Sequence, residues 1–159
     1  PDARWLAATA ETGDQVVIFD IADPGKPKLA RTIPMAAGPF EPVFTHDGRW
    51  LFVTNLRANK VTAVDVADWS VKSVIESPGF GQPHGVGLSP DGKWLWVTNR
   101  HQAGGAHDHE GHKANQAGTL VAICIPTRTA DAIIPVGNYA AGIGVAVPSK
   151  RPATPASCS

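Results

Sequence analysis

The sequence repeats itself about every 44 residues, and this repeat limits the fold more than any other feature does. "HDGRWLFVTN" begins at His46, "PDGKWLWVTN" begins 44 residues later at Pro90, and the opening "PDARWLAATA" matches both. The following segments also align, because "VVIFDIAD" at 16–23 recurs as "VTAVDVAD" at 61–68. A third copy, "LVAICIPT" at 120–127, comes 59 residues after the second. The third copy is late because a 15-residue stretch, "GGAHDHEGHKANQAG", precedes it.

The repeated unit has the pattern of a β-propeller blade. Each copy contains short β-branched and aromatic runs, such as "WLFVTN" and "KVTAVDV", separated by turn residues such as "DG". No amphipathic helical stretch with caps is evident. Four strands in roughly 44 residues predict an all-β fold of four-stranded antiparallel blades. In the second strands, Trp50 with Phe52 and Trp94 with Trp96 should each share a face and fill the wedge between blades.

The strands of a blade are labelled A to D from the axis outward. Residues 1–147 then give three blades in the order B-C-D, A-B-C-D, A-B-C-D, plus one extra inner strand A, and residues 148–159 give a Pro/Ser-rich tail. The A strands are expected near 42–46, 84–89 and 142–147. Three blades cannot close into a ring, because known propellers have at least about four. We therefore expect part of a larger propeller, with closure by self-association through open blade faces as the alternative.

Charge and hydropathy exclude several classes of partner. The chain of 159 residues has 14 Lys plus Arg and 14 Asp plus Glu, so it has no electrostatic footprint for nucleic acid. No apolar run approaches the roughly 20 residues that cross a bilayer, and no signal peptide is visible in this chain. The two cysteines are too few to indicate a disulfide framework, and Cys124 is predicted to be a small buried residue.

The motifs "SPDGKWLWVTN" and "THDGRWLFVTN", each followed by a strand that contains "VDV" or a variant of it, resemble the YVTN family of β-propeller repeats. The resemblance extends over residues 1 to about 147 in three tandem copies. It implies a bacterial or archaeal envelope or secreted protein, so a periplasmic or extracellular location is expected. Related propellers serve as scaffolds, as lactonases and as cytochrome d1-type domains of redox enzymes, so the resemblance implies an architecture without fixing an activity.

Blade geometry places the candidate ligand-binding residues on one rim. In antiparallel blades the D–A and B–C loops lie on the same rim, and the His-rich insertion (about 100–117) is a B–C loop. The D–A loop of the same blade, "SPGFGQPHG", brings His84 to the start of an inner strand, nearest the axis. Neighbouring loops contribute further polar and aromatic residues to this rim. We therefore predict a ligand site formed by four residues: His84, Arg57, Arg100 and Tyr139.

The insertion also has the composition of a transition-metal site. Its histidines and carboxylates suit zinc or copper, and alternate residues with a short turn can direct several imidazoles inward. The motif is not H-E-x-x-H on a helix, and Gly111 replaces the aspartate of the H-x-H-x-D-H pattern of metallo-β-lactamase-like hydrolases. The alternative is a polar loop whose histidines face water. The predicted metal ligands are His101, His107, His109 and His112.

Two classes of function stay open. The favoured class is a non-enzymatic binding or scaffold protein of the bacterial cell envelope, whose rim with the His-rich loop binds a protein, a small-molecule ligand or a metal. The alternative is a propeller enzyme or enzyme domain, either a lactonase or a redox-enzyme propeller, that uses rim histidines with a metal or cofactor. A lactonase would need acidic and histidine groups around the central channel, where only His84 and Glu41 are well placed. No catalytic residue is assigned from the sequence.

Overall fold

Three antiparallel β-sheets make up the computed structural model, which describes residues 4–101 and 117–146. The strands are β1 (Trp5–Ala10), β2 (Gln15–Asp20), β3 (Lys28–Pro34), β4 (Pro39–Phe44), β5 (Trp50–Asn55), β6 (Lys60–Asp65), β7 (Ser70–Ile75), β8 (Pro83–Leu88), β9 (Trp94–Asn99), β10 (Thr119–Cys124) and β11 (Thr129–Pro135). Blade 1 is β1–β3, blade 2 is β4–β7 and blade 3 is β8–β11, each in sequential order. The predicted all-β fold of propeller blades is therefore confirmed.

The strand assignments follow the repeat closely. "WLFV" opens β5 and "WLWV" opens β9, and each is the second strand of its blade, as predicted. The inner strands begin at Pro39 and Pro83, slightly earlier than the predicted ranges. Residues 142–146 differ from the expected third inner strand, because they are assigned to no strand. They have no neighbouring strand with which to form a ladder in the described ranges, and the predicted boundary at 147 lies outside those ranges.

Threonines near the ends of β1, β5 and β9 hydrogen-bond to the backbone of the inner segment that follows in the next blade. Thr9 Oγ1 donates to the Phe40 carbonyl at 2.7 Å, and Thr54 Oγ1 donates to the His84 carbonyl at 3.2 Å. In the same way, Thr98 Oγ1 donates to the Ala141 carbonyl at 3.1 Å. Ala141 therefore occupies the position of Phe40 and His84, so the segment after it runs where an inner strand would begin.

Two apolar interfaces hold the blades together, and β5 contributes to both. All six of its residues are buried. Alternation along the strand directs Leu51 and Val53 toward blade 1, while Trp50 and Phe52 face blade 3. The opposing core residues are Val16 and Ile18 of blade 1, and Leu95, Val97, Val121 and Ile123 of blade 3. Each fully buried aliphatic or aromatic side chain contributes roughly 1.5–3 kcal/mol, so these interfaces dominate the packing.

The paired aromatic residues behave differently in blades 2 and 3. Trp50 and Phe52 fill the wedge between blades, as predicted, with 8% and 0% of their surface exposed. Trp94 and Trp96 also share a face, with ring centroids 6.4 Å apart. They lie on the face of blade 3 opposite the one that packs on blade 2, and both are only half-buried. The described residues provide no further blade against this face.

Three further sequence expectations concern membrane-spanning segments, Cys124 and the C-terminal tail. Residues 4–101 and 117–146 contain no helix long and apolar enough to cross a membrane. Cys124 is completely buried, as predicted, and it is disulfide-bonded, which the sequence did not predict. The predicted tail at 148–159 lies outside the described residues.

Candidate functional site

Three of the four predicted ligand-binding residues meet on one rim, together with Phe40. Arg100 Nη1 donates a hydrogen bond to Tyr139 Oη at 2.7 Å, and its guanidinium carbon lies 5.1 Å from the Tyr139 ring centroid. The same carbon lies 5.8 Å from the Phe40 ring centroid, and Phe40 contacts the His84 ring at a centroid distance of 4.1 Å. We call Phe40, His84, Arg100 and Tyr139 the rim cluster.

Arg100 is a buried cation at a position that is apolar in the preceding blade. It directly follows Asn99 at the end of β9, as Leu56 directly follows Asn55 at the end of β5. Leu56 is 2% exposed and Arg100 is 7% exposed, so both side chains occupy buried positions. Arg100 Nε is buried without a hydrogen-bond partner, and the ion pairs among the described residues do not include Arg100. An unsatisfied buried donor costs roughly 1–3 kcal/mol, and more when charged.

Tyr139 has a left-handed backbone that is unusual for a bulky residue. Its φ is +60°, and two residues later Ala141 accepts the hydrogen bond from Thr98. The equivalent residues, two before Phe40 and His84, are Gly38 with φ +72° and Gln82 with φ +54°. Glycine adopts this conformation without strain, whereas a residue with a Cβ is destabilised by roughly 1–2 kcal/mol. The loop is therefore strained at Tyr139, the residue whose hydroxyl group accepts the hydrogen bond from Arg100.

The hydrogen bonding of His84 defines which nitrogen can meet a ligand. Its Nδ1 lies 3.0 Å from the Ala141 carbonyl oxygen, which can only accept, so Nδ1 carries a proton and donates. In the neutral ring, Nε2 therefore carries the lone pair. Burial, reinforced by the positive charge of Arg100, lowers the pKa of His84 below 6.5. The neutral form with an acceptor at Nε2 thus dominates at neutral pH.

Glu41 lies on the inner strand β4 of blade 2, and β8, which carries His84, is the neighbouring inner strand of blade 3. Its carboxylate accepts a hydrogen bond from the backbone N–H of Val86, two residues beyond His84. Burial raises the pKa of Glu41 above 4.5, and this effect outweighs the Val86 hydrogen bond. A half-buried carboxyl group and a neutral imidazole therefore occupy neighbouring inner strands.

Arg57, the fourth predicted ligand-binding residue, lies on the same rim but contacts residues outside the rim cluster. It forms an ion pair with Asp14, and its Nη2 donates to the backbone carbonyl of Glu11 at 2.9 Å. Asp14 also accepts a hydrogen bond from the backbone N–H of Gly38. No described contact joins Arg57 to the rim cluster. Its interactions connect blade 2 to blade 1.

The predicted metal ligands are only partly placed by the structure. The insertion joins β9 to β10 as a B–C connection, but His107, His109 and His112 lie outside the described residues. His101 Nε2 lies 3.1 Å from both the Gly79 carbonyl and Thr119 Oγ1. Its ring packs so closely on Gly81 that a Cβ there would lie 2.3 Å from Nδ1. Within the described ranges, no group of three or more His, Cys, Asp or Glu could hold a metal ion.

Sequence reasoning missed Phe40, although this ring connects His84 to Arg100. The sequence "GPFEPVF" marks Phe40 only as an apolar residue at the start of an inner strand. Its role depends on the packing of β4 beside β8, which no local pattern encodes. Arg100 was predicted from its place on the rim, and alignment of the repeats gives a second signal for it, because a charged residue replaces Leu56 at the position that follows the "VTN" motif.

Comparisons with known proteins support the fold and leave the family open. No protein-family model matches the chain. The chain is 29% identical over 146 residues to Antigen Lp49 of Leptospira interrogans, covering 90% of this chain and 30% of the antigen. The YVTN resemblance therefore rests on the repeat motifs themselves.

Solved structures give the same architecture at low sequence identity. Hydrazine synthase of Kuenenia stuttgartiensis matches 88% of this chain and 35% of its own, with a TM-score of 0.72 and 21% identity. The periplasmic gluconolactonase of Pseudomonas aeruginosa matches 87% of this chain and 39% of its own, with a TM-score of 0.65 and 20% identity. Such similarity defines a β-propeller architecture, and it includes proteins named as enzymes. The chain spans about a third of the length of each relative.

Proposed function

We propose that this chain is the ligand-binding part of a β-propeller of the bacterial cell envelope, and that a small molecule binds at the rim cluster. The observation that carries the proposal is Arg100, a buried guanidinium against two aromatic rings whose Nε has no hydrogen-bond partner among the described residues. Folding alone would favour an apolar side chain there, as Leu56 shows in blade 2. A buried charge beside a strained tyrosine is typical of a functional site that is completed only when its ligand binds.

The proposed envelope location has two supports. Cys124 is disulfide-bonded, and disulfides persist in the periplasm and outside the cell while cytosolic thiols are kept reduced. One structural relative is named as a periplasmic enzyme. His101, just before the part of the insertion that lies outside the described residues, packs on the loop that precedes β8. Zinc or copper binding by this insertion remains a separate prediction.

The second candidate is an enzyme that works at the same place. Glu41 has a raised pKa and His84 a lowered one, and groups shifted in opposite directions can share acid and base roles. A lactone is the substrate to test first, because a propeller lactonase would need a carboxyl group and an imidazole near the channel. Binding without turnover is the favoured proposal, since the buried cation itself requires only a partner.

The test is a ligand panel measured by thermal unfolding and calorimetry. The panel contains sodium acetate, phosphate, glucose, γ-butyrolactone and zinc chloride, and release of acid from the lactone is followed at constant pH. At least one compound should raise the melting temperature of the wild type, because a ligand that binds only the folded state stabilises it. His84→Phe keeps a ring on Phe40 but removes the Nε2 acceptor, so it should weaken at least tenfold the binding of a compound that can donate a hydrogen bond, such as glucose.

His46→Phe is the matched control. His46 also donates a ring hydrogen bond to a carbonyl of the next blade, through Nε2 to Ser89 at 3.2 Å, but it lies in the turn between β4 and β5 on the opposite rim. It should bind like the wild type. Equal losses in the two variants, or no stabilisation by any compound, would contradict the proposal. Lactone hydrolysis that depends on His84 would favour the enzyme.

A further inference from the structure

We infer that the ligand of the rim cluster is a carboxylate, held side-on by Nε and Nη2 of Arg100. This inference rests on the proposed function and adds the chemical class of the ligand. It follows from the orientation of one guanidinium group, from the charges around it and from the repeat position that it occupies.

The hydrogen bond to Tyr139 determines which edge of Arg100 is available. Nη1 donates to Tyr139 Oη at 2.7 Å, so Nη1 is engaged within the protein. The remaining edge carries the Nε and Nη2 hydrogens, which point in parallel. Two parallel N–H groups match the two oxygens of a carboxylate, and such bidentate pairs are among the strongest hydrogen-bonded contacts in proteins. Nε, one half of this pair, has no hydrogen-bond partner in the part of the chain that the structure describes.

The charges around Arg100 favour a single negative charge. His84 is neutral at neutral pH, because burial and Arg100 both lower its pKa. The cluster therefore presents one cation with two aromatic rings against it, and one carboxylate would neutralise it. A phosphate dianion would leave an uncompensated negative charge next to Phe40 and Tyr139, whose ring faces are themselves electron-rich.

Small acids are the suitable probes for this edge. Arg100 is 7% exposed and Nε is fully covered, so any ligand reaches Nε only after the side chains that cover it shift, and a small acid needs the smallest shift. Acetate presents a carboxylate on the smallest apolar group. Acetamide has nearly the same shape without the charge, so the pair separates charge recognition from fit.

The test follows the Arg100 Nε–Hε signal by NMR while acetate, acetamide or phosphate is added to the whole chain at constant ionic strength, balanced with sodium chloride. Acetate should shift the signal in a saturable way and raise the melting temperature, and acetamide should do neither. Arg100→Leu restores the residue type of blade 2, so the variant should fold with an unchanged or higher melting temperature. It should lose at least tenfold in acetate affinity.

Arg31→Leu is the control, because Arg31 is exposed on β3 and its Nη1 donates only to the neighbouring Ala30 carbonyl. It should respond to acetate like the wild type. The inference is overturned if acetamide shifts the signal as acetate does, if phosphate binds more tightly, or if Arg100→Leu still binds acetate. If acetate gives no response while glucose or the lactone binds in a way that depends on His84, the carboxylate inference is wrong and the proposed function still holds. No binding of any compound overturns the proposed function as well.

Discussion

Single residues of the rim cluster depart from the repeat in a consistent direction. Leu56 is replaced by Arg100, Gly38 by Tyr139 and Phe40 by His84, at structurally equivalent positions. Each replacement exchanges a residue suited to packing or to a turn for one that can donate, accept or carry charge. Arg100 and Tyr139 each lower local stability, which is the pattern expected where function outweighs packing.

Protonation of His84 should make the protein less stable in mild acid. Burial, with Arg100, holds the pKa of folded His84 below 6.5, while the unfolded chain takes up this proton near 6.5. As the pH falls below about 6.5, the unfolded state gains a proton that the folded state refuses, so the free energy of unfolding decreases. The decrease ends once the pH is below the folded-state pKa.

Chemical unfolding of the wild type and His84→Phe between pH 7.5 and 5 measures this effect. The groups that act on His84 electrostatically are Arg100, which lowers its pKa, and Glu11, which raises it. Both variants keep these groups and all other carboxyl groups, so the difference between the two pH profiles isolates His84. Parallel profiles, or a wild type that becomes relatively more stable in acid, would show that the ring is not held neutral.

Strands were predictable from the sequence, whereas the contacts between strands of different blades were not. The aromatic and β-branched runs "WLFV" and "WLWV", each preceded by a "DG" turn, are local signals, so they located β5 and β9 correctly. Antiparallel connectivity also put His84, Arg100 and Tyr139 on one rim. The hydrogen bonds of Thr54 to the next blade, and the ring of Phe40 between two site residues, depend on how blades pack, which a single repeat does not encode.

Thr54→Val should destabilise the junction between blades 2 and 3. Thr54 Oγ1 accepts a hydrogen bond from the backbone N–H of Glu41 at 2.9 Å and donates to the His84 carbonyl at 3.2 Å, and its side chain is fully buried. Valine keeps the shape but leaves the half-buried N–H of Glu41 without its partner, which costs up to roughly 1–3 kcal/mol. Denaturant unfolding measures the loss.

Thr32→Val on β3 is the matched control, because Thr32 is exposed on an outer strand. Its unfolding free energy should change by less than about 0.5 kcal/mol. If the two variants lose equal stability, the change reflects the loss of any threonine hydroxyl. A Thr54→Val protein as stable as the wild type would mean that the hydroxyl contributes nothing to the junction.

Across residues 4–101 and 117–146 the blades cover one another in sequence, and within these ranges blade 2 is the one covered on both faces. Its two interfaces account for the buried cores on either side of β5. Blade 3 receives blade 2 on one face, and its rim cluster is built from residues of blades 2 and 3 together with Tyr139 beyond them. The candidate site therefore depends on the stacking of blades and could not form within one repeat unit.

Self-association of this chain should occur through the half-buried face of blade 3. Trp94 and Trp96 occupy the positions of Trp50 and Phe52, which blade 3 buries in the interior, and apolar faces of this kind are covered in stable assemblies. Sedimentation of the isolated chain should show a concentration-dependent oligomer, and Trp96→Glu should shift it toward monomer, because association would then bury an unpaired charge. Leu29→Glu, at a 65% exposed residue on β3, should leave the distribution unchanged. A wild type that stays monomeric at all concentrations, or an equal effect of both glutamates, would refute association through this face.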